Sequence, residues 1–380
     1  METKKVFASR MKRILASDVL DAGLVAVRTQ VQLNGHVAFT PTVVDGRAFC
    51  SVIRRRLCEH TVVAVDLKSG SIQWQVSIGK WSHVDPISPL AQKGLLYIGT
   101  DDGNVVCLRQ DTGESTWLRH VCREEGTAAH CAMALTDSLV LVGTYEGDIV
   151  ALDLTTGELR WRRACSDESG TIVSSSPVVW QDNVVFSNWF DEVHCLDVLT
   201  GEEQWSLELI GTGGRHHMDP LLVGDELIMP GSVGGIYCLN LATRESRVVA
   251  ESTRVVRAYT PVLLGDILYW RSNARPSLNG VSCQSSKRHF SLTMGSARPY
   301  EISIHKDHLY CPSGPWLYVV EPHPATGIPT EYRIRKYKSP HHFVTGLAHD
   351  ASIFCAGIAT DKLLIGRLPD ASPPDESHSR

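Results

Sequence analysis

Sixteen histidines are spread through this 380-residue chain, and seven of them fall in a few short windows. Each window lies two to six residues ahead of a recurring step, Thr40-Pro41, Ser88-Pro89, Ser176-Pro177, Asp219-Pro220 or Thr260-Pro261, or of its proline-free counterpart in other copies. In chain order the windows hold His36, His83 with Asp85, His130, His216 with His217, Arg257 with Tyr259, Arg298 with Tyr300 and Glu301, and His341 with His342. The fourth window offers only Thr171, Ser174 and Ser175. Even scattering would put roughly two histidines in these windows. Imidazoles exchange protons at neutral pH, and a guanidinium holds a carboxylate or phosphate through paired hydrogen bonds. If the windows converge, they form a polar pocket for a small anionic ligand, with acid/base chemistry of the elimination, hydrolysis or cyclisation kind in reach.

On that reading His83, His130, His216, His217, His342, Tyr300 and Glu301 are the expected proton-transfer groups. The expected ligand-binding groups are His36, Asp85, Arg257, Tyr259, Arg298 and Trp189; Trp189, beside Phe190 on a turn, could instead be a partner's hot spot or simply cap the blade edge. A divalent metal is the sharper version, with His83, His216 and His342 as candidate ligands from three windows. Adjacent histidines point to opposite sides of a strand, so only one of each pair could reach the same ion. The competing reading is a wet channel whose polar lining satisfies backbone groups and water. It explains polarity, but not the choice of His over Ser, Thr or Asn. The alternative function is a non-catalytic scaffold that grips a protein with the same face.

Residues this far apart meet only if the chain repeats about an axis, and it does repeat. Val63 to Trp74 reads VAVDLKSGSIQW, Val106 to Trp117 VCLRQDTGESTW, Val150 to Trp161 VALDLTTGELRW, and His194 to Trp205 HCLDVLTGEEQW. The turn glycines Gly70, Gly113, Gly157 and Gly201 stand 43, 44 and 44 residues apart. Fainter copies follow at Tyr237, Ser282 and Tyr318. Upstream of each segment lie two more apolar runs, the first opening at the proline step, so a repeat holds four short antiparallel strands. Such units of about 40 to 50 residues read as propeller blades, which bury both faces only in a closed ring.

The pattern Tyr-x-Leu-Asp-x-x-Thr-Gly-x-x-x-Trp resembles the PQQ-like repeat of quinoprotein propellers, a superfamily that also includes the non-catalytic outer-membrane assembly lipoprotein. The fold expected is all-β, an eight-bladed β-propeller of four-stranded blades, with seven as the fallback because Ser352 to Leu368 lacks the turn motif. Residues 1–35 are expected to supply a strand to the last blade, 36–368 to form the ring and 369–380 to be a disordered tail. PQQ itself is not expected. The chain has no adjacent Cys-Cys pair and no evident Glu, Asn and Asp set to hold calcium over a quinone.

Composition fits this picture. With 43% hydrophobic and 21% charged residues the chain can bury a large core, and a net charge of −5 does not point to nucleic acid. Eleven cysteines include no C-x-x-C pair, and Cys107, Cys195, Cys238 and Cys283 are read as small apolar residues in the slot that Ala64 and Ala151 hold in other copies. A reducing, cytoplasmic setting is expected, because no signal-peptide core and no apolar run long enough for a bilayer stands out. The turns between second and third strands, including Arg54-Arg55-Arg56, Asp101-Asp102, Tyr145-Glu146 and Arg271 to Asn279, should share the face of the histidine windows.

Overall fold

A computed structural model describes residues 12–14, 19–81, 88–123, 132–165, 173, 175–188, 192–209, 219–231, 235–250, 260–272, 276–283, 288–295, 300–323, 329, 331–359 and 361–369. Blade 1 is built from β5 (Thr42–Val44), β6 (Arg47–Arg54), β7 (Glu59–Asp66) and β8 (Ile72–Lys80), running from the channel outward. Seven further sheets repeat the order, with innermost strands Leu90–Gln92, Ala132–Leu135, Val178–Trp180, Leu221–Val223, Val262–Leu264, Ser303–His305 and Ala348–Asp350. The molecule is therefore an eight-bladed β-propeller.

Four N-terminal strands precede this pattern: β1 (Lys12–Ile14), β2 (Leu20–Leu24), β3 (Val27–Gln32) and β4 (His36–Val37). β3 is antiparallel to Lys362–Arg367 and is the outermost strand of blade 8, joining the start of the ring to its end. β1 and β2 run parallel to the outer strands of blades 6 and 7.

The core lies between blades. Phe49, Val62 and Ala64 of blade 1 pack with Leu96, Ile98 and Leu108 of blade 2. The seam where the chain closes joins Val31, Cys355 and Ile365 to Ala48, Val52 and Val63. The middle strands are apolar on both faces for this reason, whereas the outer strands carry charge.

The repeated Gly and Trp form one device. Gly113 has φ +75°, and a Cβ there would sit 2.6 Å from the ring of Trp74 in the preceding blade. The same indole donates its N–H to the carbonyl of Gln110 at 3.0 Å. Trp117 lies on Gly157 and Trp161 on Gly201 in the same way. In blade 5 the turn places Arg244 at that position with φ +64°, and its guanidinium covers the Trp205 ring at 5.7 Å. For Gly70 of blade 1 the neighbour is Thr29 on β3, so the N-terminal strand stands where a Trp strand would.

The small slot opposite each Trp is filled by Ala64, Cys107, Ala151 and Cys195, each followed by a bulge. In blade 6 the register corrects the sequence reading. Gly280, between Tyr269 and Phe290, holds the slot, and Cys283 lies beyond the strand end.

Candidate functional site

Strand direction decides which loops share a face. The Trp81 N–H bonds to the carbonyl of Cys58, that of Val121 to Gly103 and that of Cys165 to Gly147. The connectors between blades and the turns between second and third strands therefore lie together. The opposite face holds the other two turns of each blade, as in the bonds from Leu67 to Gly46 and from Leu154 to Ser138.

His83, Asp85, His130, Trp189, His216, His217, Arg257, Tyr259 and Arg298 lie outside the described residues. Of the described ones, His36 sits on β4 opposite Ile53, and His342 is exposed, its carbonyl accepting the Ala359 N–H. The Tyr300 ring packs against the apolar cluster between blades 7 and 8. Glu301 faces the channel beside Thr40 and Gly346.

These last three residues belong to a ring that the windows touch only at Glu301. The residue two before each inner strand is Thr40, Ser88, Ser176, Asp219, Thr260, Glu301 or Gly346 in the seven blades described there. Neighbours are tied together: the Ser88 hydroxyl donates to the Thr40 carbonyl at 2.7 Å, and the Ser176 N–H to the Asp219 carboxylate at 2.9 Å. One step further on, Thr42 donates to the Pro89 carbonyl and Ser303 to the Leu347 carbonyl. Gly346 gives Glu301 its room, since a Cβ there would lie 2.5 Å from the Thr40 hydroxyl and 3.0 Å from the Glu301 Cβ. Glu301 thus reaches past blade 8 to Thr40. Its side chain stays exposed to the channel, yet the protein around it costs the carboxylate part of its hydration, which raises its carboxyl above the usual range. The Thr40 hydrogen bond opposes the rise and the charge of Asp219 adds to it. The signal for this ring was the proline step itself, read one residue back rather than two to six.

Two more polar groups on this face are structural. Arg271, expected on an exposed turn, is instead in a strand and 1% exposed, donating to the carbonyls of Pro312 and Tyr300. Asp148 is fully buried and bridges Arg123 and Arg162, the latter at 3.0 Å. Among the described residues no group of three or more His, Cys, Asp or Glu could hold a metal ion.

Blade 1 departs from the common plan on the same face. Taking Phe49, Ala64 and Trp74 as equivalent to Tyr97, Cys107 and Trp117, β6 and β7 continue pairing for three rungs more than blade 2 does. At about 3.3 Å per residue the extension rises about 10 Å. β4 pairs along its channel side and β8 along its outer side, and a single 3-10 turn at Arg55–Leu57 closes it.

Comparison with known proteins agrees with this architecture. The family model described as outer membrane protein assembly factor BamB matches residues 19–134 and 59–250. No curated protein matches the chain. Among solved structures, BamB from Moraxella catarrhalis is similar with a TM-score of 0.69 at 14% identity, covering 91% of this chain and 100% of that one. The computationally designed Ika8 protein follows with 0.68 at 15%, covering 91% and 99%. Quinohemoprotein alcohol dehydrogenase from Comamonas testosteroni gives 0.66 at 14%, covering 92% and 78%. At such identities the structural likeness speaks for the fold alone. The family match spans more than half of the sequence, and the chain belongs to the family of the outer membrane protein assembly factor BamB, a PQQ-like β-propeller.

Proposed function

We propose that this propeller is a non-catalytic interaction scaffold that grips a protein partner with its connector face. The observation that carries the reading is the extension of blade 1, which pairs for two rungs more than blades 6, 7 and 8 and three more than blade 2, rises about 7 to 10 Å beyond their ladders and ends in exposed Arg55, Arg56 and Leu57. Arg and the neighbouring Trp81 are residue types that anchor interfaces, and exposed Leu57 adds apolar area beside them. Family membership supports the same reading, because the described member is an assembly factor. A cytoplasmic setting accords with ten described cysteines that are all free. The test is quantitative capture from cells with the wild-type chain, with Arg55→Glu/Arg56→Glu/Leu57→Asp, and with Glu301→Gln. A partner set retained by Glu301→Gln and lost in the triple variant is expected; equal capture by all three contradicts the reading.

Glu301 favours a second reading, in which the channel mouth binds a small anion and performs acid/base chemistry without PQQ. A carboxyl raised by partial loss of hydration is a candidate proton donor. A thermal-shift screen with phosphate and small carboxylic acids, together with metal analysis, checks it. A ligand response that disappears in Glu301→Gln supports this reading, and none in the wild type removes it.

A further inference from the structure

The tip of the blade 1 extension brings positive charge and exposed apolar surface together. Arg54 is engaged by Glu59 at 3.3 Å, but among the described residues Arg55 and Arg56 form no ion pair. The Arg55 guanidinium lies 5.9 Å from the centre of the Trp81 ring, and Leu57 is 68% exposed. The turn is held in shape rather than floppy. Cys58 closes it in the left-handed region at φ +50°, its N–H bonded to the Arg55 carbonyl at 3.3 Å and its own carbonyl accepting the Trp81 N–H at 2.9 Å. β4 and β8 brace the stem on both sides.

We infer that this tip docks an acidic peptide segment bearing an apolar side chain. The inference rests on the scaffold reading and names the chemistry of the partner. Two adjacent guanidiniums that form no ion pair among the described residues, one of them over the Trp81 ring, concentrate positive charge on a chain of net charge −5. Carboxylates satisfy them with paired, charge-assisted hydrogen bonds. A basic partner would be repelled. A nucleic acid would be held by charge alone, leaving Leu57 and the Trp81 ring wet, on a protein whose overall charge opposes it. An apolar side chain set between the carboxylates of a peptide would cover Leu57 and the edge of Trp81. The preformed turn lowers the ordering cost on this side of the complex.

The experiment pans a library of short random peptides displayed on phage against the full chain, then measures synthetic copies of the enriched peptides by fluorescence anisotropy. Enrichment of sequences that combine Asp or Glu with Leu, Ile or Phe is expected. Their affinity should fall at least tenfold in Arg55→Glu/Arg56→Glu, fall in Leu57→Ala, and weaken with added salt. These positions are exposed, and circular dichroism verifies that the variants fold. Enriched peptides without acidic residues, or unchanged affinity in the variants, would overturn the inference. So would a single-stranded RNA oligomer that binds the tip more tightly than the peptides. Acidic peptides that bind the double Arg variant fully, yet cross-link to connectors of other blades, would sink the tip assignment alone. If no peptide enriches and capture from cells is also indifferent to the triple variant, the scaffold reading falls with it.

Discussion

His60 and Asp148 show how burial governs single residues in this ring. His60 is 1% exposed on β7, and burial lowers its pKa from 6.5 to about 4, against the charges of Asp101 and Asp102, which raise it. The unfolded chain takes up a proton near pH 6.5 that the folded one refuses until about 4. His60 therefore costs nothing above pH 6.5, and stability falls as pH is lowered through that window, by at most about 1.4 kcal/mol per unit. Urea denaturation at several pH values should show a shallower acid slope for His60→Leu than for the wild type; equal slopes would contradict the account. Asp148 balances two guanidiniums with no exposed surface of its own. Replacing it with Ala removes charge-assisted hydrogen bonds to two guanidiniums that still reach water, and should cost about 2 kcal/mol in the same measurement. A loss near zero would mean that water already balances the pair.

Elements were the most legible part of the sequence, for a physical reason. The turn needs a residue at positive φ, the neighbouring Trp needs a surface without a Cβ, and the middle strands need apolar residues on both faces, so Gly, Trp and the Val-rich runs are written in fixed register. Where one requirement lapses, the pattern no longer marks the position. Blade 6 has neither a matching Gly nor a Trp, which is why Cys283 was assigned the slot that Gly280 holds. Arg271 reads as a turn residue because charge normally marks exposure, whereas it is buried in a strand and its Nη1 donates to carbonyls of the next blade. The connectors carry little pattern, so the histidine windows could be located in sequence but not their mutual geometry. The length of the blade 1 extension was equally hidden, since Arg54-Arg55-Arg56 reads the same at the end of a short strand or a long one. Two glycines separate the parts of the Gly and Trp device. Gly94 and Gly113 have φ of +78° and +75°, but a Cβ on Gly94 meets nothing within 4 Å, whereas on Gly113 it meets Trp74 at 2.6 Å. Gly94→Ala should cost about 1 kcal/mol for backbone strain alone. Gly113→Ala should cost clearly more in denaturation and alter Trp fluorescence; equal costs would show that the indole yields freely.

At the scale of the whole molecule, closure and presentation are separate tasks assigned to neighbouring segments. β3 covers the last seam, where Val31 and Leu33 are buried against Cys355, Leu363 and Ile365. Removing residues 1–33 should open that seam and give a chain that aggregates or unfolds without a sharp transition, while removing 1–18 should leave the ring folded. Size-exclusion chromatography with denaturation checks both, and a cooperative monomer without β3 would contradict the closure. The next segment, β4, braces the tip that the ring presents. The account stands most directly on where a partner touches this molecule. A photo-crosslinking amino acid placed in cells at Leu57, on the connector face, or at Leu199, exposed at 67% on a turn of the opposite face, reads that out. Protein adducts from position 57 and none from position 199 are predicted; adducts from 199 alone, or from neither, would contradict the account.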